Sequence, residues 1–503
     1  MNVVYHVIVD GFQNIVTAAG GRVSFLLYAI CIGALGFLNT WDIPIYFAVM
    51  GLVLIVWYDR NDAETWLKAI FGMVSFAIIC IMLYLPFYIS FQSQAGGILP
   101  NLWNPTHLPQ FFVFFGPFLV AIAGYLIIFR LDSTPYSLSP PHTKWTLPLM
   151  IFTPIVVSVI IAGTFIFPEN GQMFIQGILR DPNVQTVIGG ASQDKLIQEI
   201  ITRRLKNPWT FFLLSIMLAW GLARWWNYFS IEKNTTSKAW SVKASLDQKS
   251  QSHALPRQET AEMFTLILLM IGLLLPLTVE FIYLKDNFGT RMNTVFKFYF
   301  QAWILLALAS AFGVYYVNQW LKGVTKIAWQ LIMIALIAGG MVYPILATFH
   351  KANNFQNEAT LDGIAWISKL YPFDYKAIAW INANTPTDAI ILEKTAGHAG
   401  YKYEGRISAL TGRGTLLGWG NHESQWRGNY DEPGKREPDI TNIYNTLDIN
   451  LALALLNKYN VDYVYVGLLE SQAYSPAGLA KFDKFMDVVF QEGDVIIYAE
   501  KWH

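Results

Sequence analysis

Three groups of residues in this chain carry side chains suited to chemistry. The first is Asp42, beside Trp41, in the tetrapeptide Asn39-Thr40-Trp41-Asp42 between two apolar segments. A carboxylate inside a membrane is costly and commonly has a task, here acid/base work. Helix capping at the interface, with the carboxylate held by backbone amides, is the competing reading. The second group is Lys285, Arg291 and Lys297, with Glu280 just before them. Three cations beside a membrane surface suit a phosphate or pyrophosphate, which arginine binds bidentately. Ordinary snorkelling of long cations to the interface explains them equally simply. The third group is Arg413, Trp419, His422, Glu423, Trp426 and Arg427, bracketed by glycines from Gly412 to Gly428 in a segment without helical or strand periodicity. Tryptophan faces with polar neighbours suit a stacked sugar or extended polar ligand. A loop packed onto the membrane interface by its tryptophans is the alternative.

Other chemistries find no support. There is no nucleotide-binding glycine motif, Walker loop or Ser/His/Asp arrangement. The histidines lack metal-ligand spacing, and Cys31 and Cys80 both lie in apolar runs, so neither a metal site nor a disulfide framework is expected. The sequence identifies no cofactor. A net charge of +0 argues against nucleic acid as a partner.

The elements that must position these groups are membrane spans. The chain is 54% hydrophobic and only 14% charged, where soluble domains are about 25% charged. From Ala69 to Phe129 there is no Asp, Glu, Lys or Arg, enough chain for two bilayer crossings. The apolar pattern predicts spans near 23–38, 43–58, 67–90, 110–130, 146–167, 208–228, 262–284, 298–318 and 327–347. The first two are short, and the break at Asn39–Asp42 suggests a tight hairpin or a broken helix lining a cavity. Pro44 suits the first turn of the second segment. Residues 1–21 lack the basic start and apolar centre of a signal peptide. The fold class is thus a polytopic α-helical membrane protein of about nine spans, residues 1–349, with a C-terminal α/β soluble domain, residues 350–503.

Loop charges set an orientation. Arg60, Lys68, Arg130, Lys144, Lys322, Lys326 and the basic residues from Arg224 to Arg257 fall on one side, whereas the 39–42 and 91–109 loops carry none. The positive-inside bias then puts the N-terminus in the cytoplasm and residues 350–503 outside, in a multi-pass protein of the plasma membrane. The 168–207 loop runs against this bias, since Arg180, Lys195, Arg203, Arg204 and Lys206 lie in it. Lys233–Thr260 is rich in Ser, Thr, Gln and Lys and reads as a flexible cytoplasmic linker, 233–260.

In residues 350–503, Asp374 is placed to cap a helix running through Ile381. Ala389–Leu392 and Val461–Val466 read as strands, and Asp448 or Asn450 starts a helix with Leu451, Leu455 and Tyr459 on one face. A further helix is expected near Pro476–Met486. Gln491-Glu492-Gly493 then reads as the turn of a hairpin. Such alternation argues for a small layered α/β fold.

At the same clusters the sequence resembles a known family. GALGFLNTWDIP (33–44), DNFGTRMNTVFKFYFQAW (286–303), TGRGTLLGWGNHESQWRG (411–428) and YNVDYVYVGLLE (459–470) are similar to motifs of the YYY family of polytopic membrane proteins, Chlor_Arch_YYY. That family in turn distantly resembles the C-type glycosyltransferases. The resemblance implies sugar transfer from a polyprenyl-phosphate donor to an extracytoplasmic acceptor, with the lipid bilayer as partner. In that reading Lys285, Arg291 and Lys297 hold the donor phosphate. Arg413, Trp419, His422, Glu423, Trp426 and Arg427 contact acceptor or sugar, and Arg291 and His422 are expected at one outer pocket. A transporter or flippase of a lipid-linked or polar solute, or a non-catalytic membrane assembly protein, are the alternative classes. The C-type glycosyltransferases usually carry the catalytic carboxylate in the first outer loop. The family pattern begins with further spans and an acidic His-Pro-His segment upstream of the NTWD motif, and no His-Pro-His occurs here. An N-terminally incomplete chain is therefore expected, with an exposed apolar flank beside 23–58 and Asp42 as the best carboxylate left.

Overall fold

A helix that is apolar on every side is stable only where lipid or other helices surround it. The computed structural model describes residues 19–57, 63–91, 96–131, 169–180, 182–190, 192–225, 257–286, 290–356 and 358–501, with scattered residues within 10–17 and 148–160. Among the described residues, six helices are long and apolar enough to cross a membrane. They belong to α1 (Arg22–Asn39), α3 (Ala63–Leu83), α4 (Leu108–Leu131), α7 (Arg257–Val279), α8 (Met292–Trp320) and α9 (Gly323–Lys351). Shorter apolar helices are α2, starting at Asp42 (Asp42–Trp57), and α6 (Trp209–Trp225). A further helix, α5 (Gln193–Lys206), precedes α6. The expected span at 146–167 and nearly all of the 233–260 linker lie outside the continuously described residues.

The chain divides into two units, Met1–Ala347 and Thr348–His503. In the first, α7 and α8 pack on each other and α8 packs on α4. Their shared core holds Leu266, Leu269 and Leu273 of α7, Ala302 and Leu306 of α8, and Phe115, Ile122 and Tyr125 of α4. A small residue allows the α4–α8 approach: a Cβ on Gly313 would stand 3.1 Å from Tyr125 Cβ and 3.3 Å from the Ala121 carbonyl oxygen. Close backbone contact of this kind is how membrane helices gain packing energy without a hydrophobic drive between them. Helix α9 buries only Met333 along its length. A short antiparallel ribbon, β1 (Ile98–Pro100) with β2 (Ile282–Leu284), joins the loop before α4 to the turn between α7 and α8.

The second unit is built on a four-stranded sheet of order β3-β4-β6-β5. Its strands are β3 (Ile391–Leu392), β4 (Tyr463–Val466), β5 (Met486–Glu492) and β6 (Val495–Glu500). β3 runs parallel to β4, whereas β6 is antiparallel to both β4 and β5. Gly493 makes the β5–β6 turn at a φ of 57°. Helices α10 (Pro372–Asn384), α11 (Arg406–Thr411), α12 (Gly420–Arg427), α13 (Asp431–Asn445) and α14 (Ile449–Lys458) complete this description. Asp448 caps α14 by accepting from the amides of Asn450 and Leu451, as its sequence position suggests.

Two local expectations need correction. Asp374 is no cap: α10 starts earlier, at Pro372, and the buried carboxylate binds side chains elsewhere in the unit. The segment around His422 is helical as α12, despite its lack of apolar periodicity. Gly420 is its one buried residue, so there is no apolar stripe to read.

Candidate functional site

The β1–β2 ribbon turns the chain back on itself and brings distant polar residues to one end of the bundle. Glu280, at the end of α7, is 2% exposed. An isolated carboxylate at that depth is strongly disfavoured, and it is fully partnered. Thr106 donates both its amide (3.1 Å) and its hydroxyl to it. Arg291 Nη1 lies 3.2 Å from Oε1, and Arg204 Nη1 3.6 Å from Oε2. Arg291 Nη2 also donates to Thr106 Oγ1 (3.0 Å), and Arg204 Nη2 donates to the carbonyls of Glu280 and Asn101. Asn101 Nδ2 completes the group by donating to the Val279 and Glu280 carbonyls. Burial pulls the Arg204 guanidinium below its usual value, and the nearby Glu280 charge opposes that. The structure thus pairs Arg291 inside the protein. Lys285 sits exposed just after β2, its backbone paired with Gly96 and Gly97.

A second polar group lies within the spans. Asp42 is buried, and its carboxylate accepts from Asn39 Nδ2 at 2.9 Å. Gln301 and Lys297 of α8 also act on it. Gln301 in turn accepts from the Tyr46 hydroxyl at 2.8 Å. Lys297 Nζ stands 5.0 Å from the centre of the Trp41 ring, a cation–π contact. Among the described residues that ammonium makes no ion pair or hydrogen bond, although Asp42 and Asp286 both attract it. Two residues that the sequence singled out separately, Asp42 and Lys297, therefore belong to one cluster.

In the second unit the candidate residues divide. The Arg413 guanidinium is buried and donates to Thr385, Asn382, Ile381 and Thr411, which leaves no N–H for a ligand. Its work is to tie the end of α10 to the turn at Gly412. Tyr401, Trp419 and Trp426 gather around His422. Trp426 Nε1 donates to His422 Nε2 at 3.0 Å, and the Tyr401 hydroxyl is 2.9 Å from Nδ1. An indole is only a donor, so the neutral ring carries its proton on Nδ1 and donates to the Tyr401 oxygen. Glu423 and Arg427 form an exposed pair at 3.3 Å on the same short helix. The result is a surface platform of aromatic faces with a charged edge.

Residues that sequence reasoning passed over include Thr106, Asn101 and Arg204, whose partners lie far along the chain and carry no local signal. Tyr401 is equally silent. Gln301 could have been found, because an amide inside an apolar run calls for a partner. Among the described residues no group of His, Cys, Asp and Glu could hold a metal ion.

No curated protein matches the chain. A family described as uncharacterized membrane proteins, DUF2298, matches residues 12–306, a stretch that contains the 33–44 and 286–303 motifs and the Asp42 and Glu280 clusters. It is the same YYY-type family that those motifs resemble. With the family match, the apolar helices and the polar groups set among them, this chain is a multi-pass membrane protein and belongs to the DUF2298 family of uncharacterized membrane proteins.

Proposed function

We propose that the protein is a glycosyltransferase-like enzyme that moves a sugar from a polyprenyl-phosphate donor to an acceptor on the extracytoplasmic face of the plasma membrane. The observation that carries this reading is the Asp42–Lys297 cluster: a buried carboxylate and an ammonium that it attracts, which among the described residues has no ion-pair partner, both within apolar helices. Lys297 offers its charge to the donor phosphate. Asp42 accepts the proton of the acceptor hydroxyl as its oxygen attacks the anomeric carbon. The bond from that carbon to the phosphate oxygen breaks, and polyprenyl phosphate leaves. Lys285 adds positive charge at the exposed end of the ribbon. In the second unit Trp419, His422, Trp426, Glu423 and Arg427 take acceptor or sugar, by stacking on the rings and hydrogen bonding at the charged edge.

Purified protein incubated with radiolabelled polyprenyl-phosphate sugars is the test. Transfer or release of label should occur, and Asp42→Asn should slow it by about 10²–10⁴-fold, the usual worth of general acid/base catalysis. Lys297→Met should weaken donor binding. One observation favours a second reading: only Thr40 and Trp41 separate α1 from α2, and broken helices with polar residues at the break line transport pathways. Uptake of a polar solute or flipping of a labelled lipid by reconstituted vesicles, with no transfer to any acceptor, would replace the enzyme reading with transport.

A further inference from the structure

We infer that α5, the helix Gln193–Lys206, lies on the bilayer surface, with an apolar stripe seated among lipid headgroups and upper acyl chains. The inference is independent of the proposed reaction. Ile197, Ile201 and Leu205 recur at i, i+4 and i+8 and so share one face. Their exposure rises along the helix, from 38% at Ile197 to 53% at Ile201 and 74% at Leu205, and Trp209 at the start of α6 is 63% exposed.

This stripe cannot roll inward, because the rest of the helix is pinned. Leu196 is buried with Ile175, Val184 and Ile188. The Arg203 guanidinium stacks 4.1 Å over the Trp103 ring and pairs with Glu199 at 2.9 Å. Arg204 is held in the Glu280 group. In water the three aliphatic side chains would keep apolar surface hydrated, which contact with lipid removes.

Lipid is the occupant because the stripe is continuous with the apolar helix α6. Only Asn207 and Pro208 lie between α5 and Trp209, and the amide of Asn207 still bonds the Arg203 carbonyl. α6 itself enters the helical core through Leu214, Met217 and Leu218. The exposed end of α5 therefore stays at the level where an apolar helix begins, and tryptophan favours that level. Lys206, exposed beside Leu205, places an ammonium where lipid phosphates lie. Arg203 and Arg204 also face protein groups, which removes two of the cations that ran against the loop-charge bias.

The experiment uses full-length protein in phosphatidylglycerol/phosphatidylcholine vesicles. In a Cys31→Ser, Cys80→Ser background, single cysteines at Ile201, Leu205 and, on the helix flank, Lys195 are labelled with an environment-sensitive fluorophore. The labels at 201 and 205 should emit to the blue and be quenched several-fold more than that at 195 by lipids brominated near the headgroup. Equal quenching of all three by aqueous iodide would overturn the proposal. Blue emission at 201 and 205 without bromolipid quenching would also overturn it, in favour of a protein surface, such as a second copy, over the stripe.

Discussion

The Arg406 guanidinium is the centre of the second unit, and its removal makes a demanding test of how that unit is held together. It is 2% exposed and lies 2.8 Å from Asp374, 2.9 Å from Glu470 and 3.8 Å from Glu393. Each carboxylate is anchored further. Asp374 accepts from Tyr403 and Tyr465, Glu470 from the amides of Lys394 and Gly467, and Glu393 from the amides of Ile407 and Ser408. Burial pushes Glu393 up, against the pull of Arg406. Burial also works against the Arg406 charge, yet Glu470, Tyr465 and Asp374 hold the guanidinium well above its usual value. Arg406→Met fills similar volume but leaves buried carboxylates without a counter-charge. Breaking a buried pair from one side costs about 3–5 kcal/mol. Against a typical total of about 5–15 kcal/mol that is a large share, and for a unit of this size it lowers the unfolding midpoint by about 6–20 °C. The assay is thermal unfolding of the full chain in detergent, followed by protease access to residues 348–503. The loss should shrink as pH falls from 7 towards 5. Uncompensated carboxylates have folded pKa values above their unfolded ones, so the folded variant takes up more protons and gains stability as pH drops. A loss below about 1 kcal/mol, or one that is flat with pH, would refute the view that the charge balance at Arg406 holds this unit.

Other expectations follow from separate features. Burial lowers the Lys481 ammonium to about 8, while it donates to the carbonyls of Ile443, Tyr444 and Gly478. Between that value and the unfolded value of about 10.4, the folded chain has released a proton that the unfolded chain keeps, so stability should rise over this window. Comparing the unfolding midpoint at neutral pH and near the top of the window, for the natural chain and Lys481→Met, checks the slope, which the variant should lack. Gly313→Leu should cost about 1–3 kcal/mol by forcing α4 and α8 apart at Tyr125 and Ala121, read from unfolding in mixed detergent micelles; an unchanged midpoint would mean the helices separate freely there. Single cysteines at Ser245 and Ser475, with Cys31 and Cys80 replaced, should react with an impermeant thiol reagent from opposite sides of the membrane. Reaction of both from the same side would overturn the expected topology.

What the sequence made legible is what local chemistry controls. Apolar runs announce α4, α7, α8 and α9 because no other environment accepts so many unpaired side chains, and the cap at Asp448 is written in its own neighbourhood. Partner choice is another matter. Asp374 stands in a first turn and so reads as a helix cap, but its partner Arg406 is 32 residues away, across an intervening strand. Arg291 and Glu280 were both visible, yet only the β1–β2 ribbon decides that the two neutralise each other. The helix at Gly420–Arg427 was hidden because it buries almost nothing, so no periodicity was imprinted on it. Asp42 and Lys297 were each recognisable as polar residues beside apolar segments, whereas their meeting depends on the packing of α2 and α8 in the bundle.

The Glu280 group also bears on how the protein is made. Thr106 and Arg204 leave the ribosome before Glu280, and Arg291 only afterwards. The carboxylate at the end of α7 is thus partly answered by segments that precede it in the chain and fully answered only with the residue that precedes α8. In the folded bundle, loss of Arg291 would leave this buried acid short of one cation, an expensive state. This one carboxylate thus ties the loop before α4, the end of α5 and the start of α8 to the end of α7, so segments from early and late in the chain share one electrostatic balance.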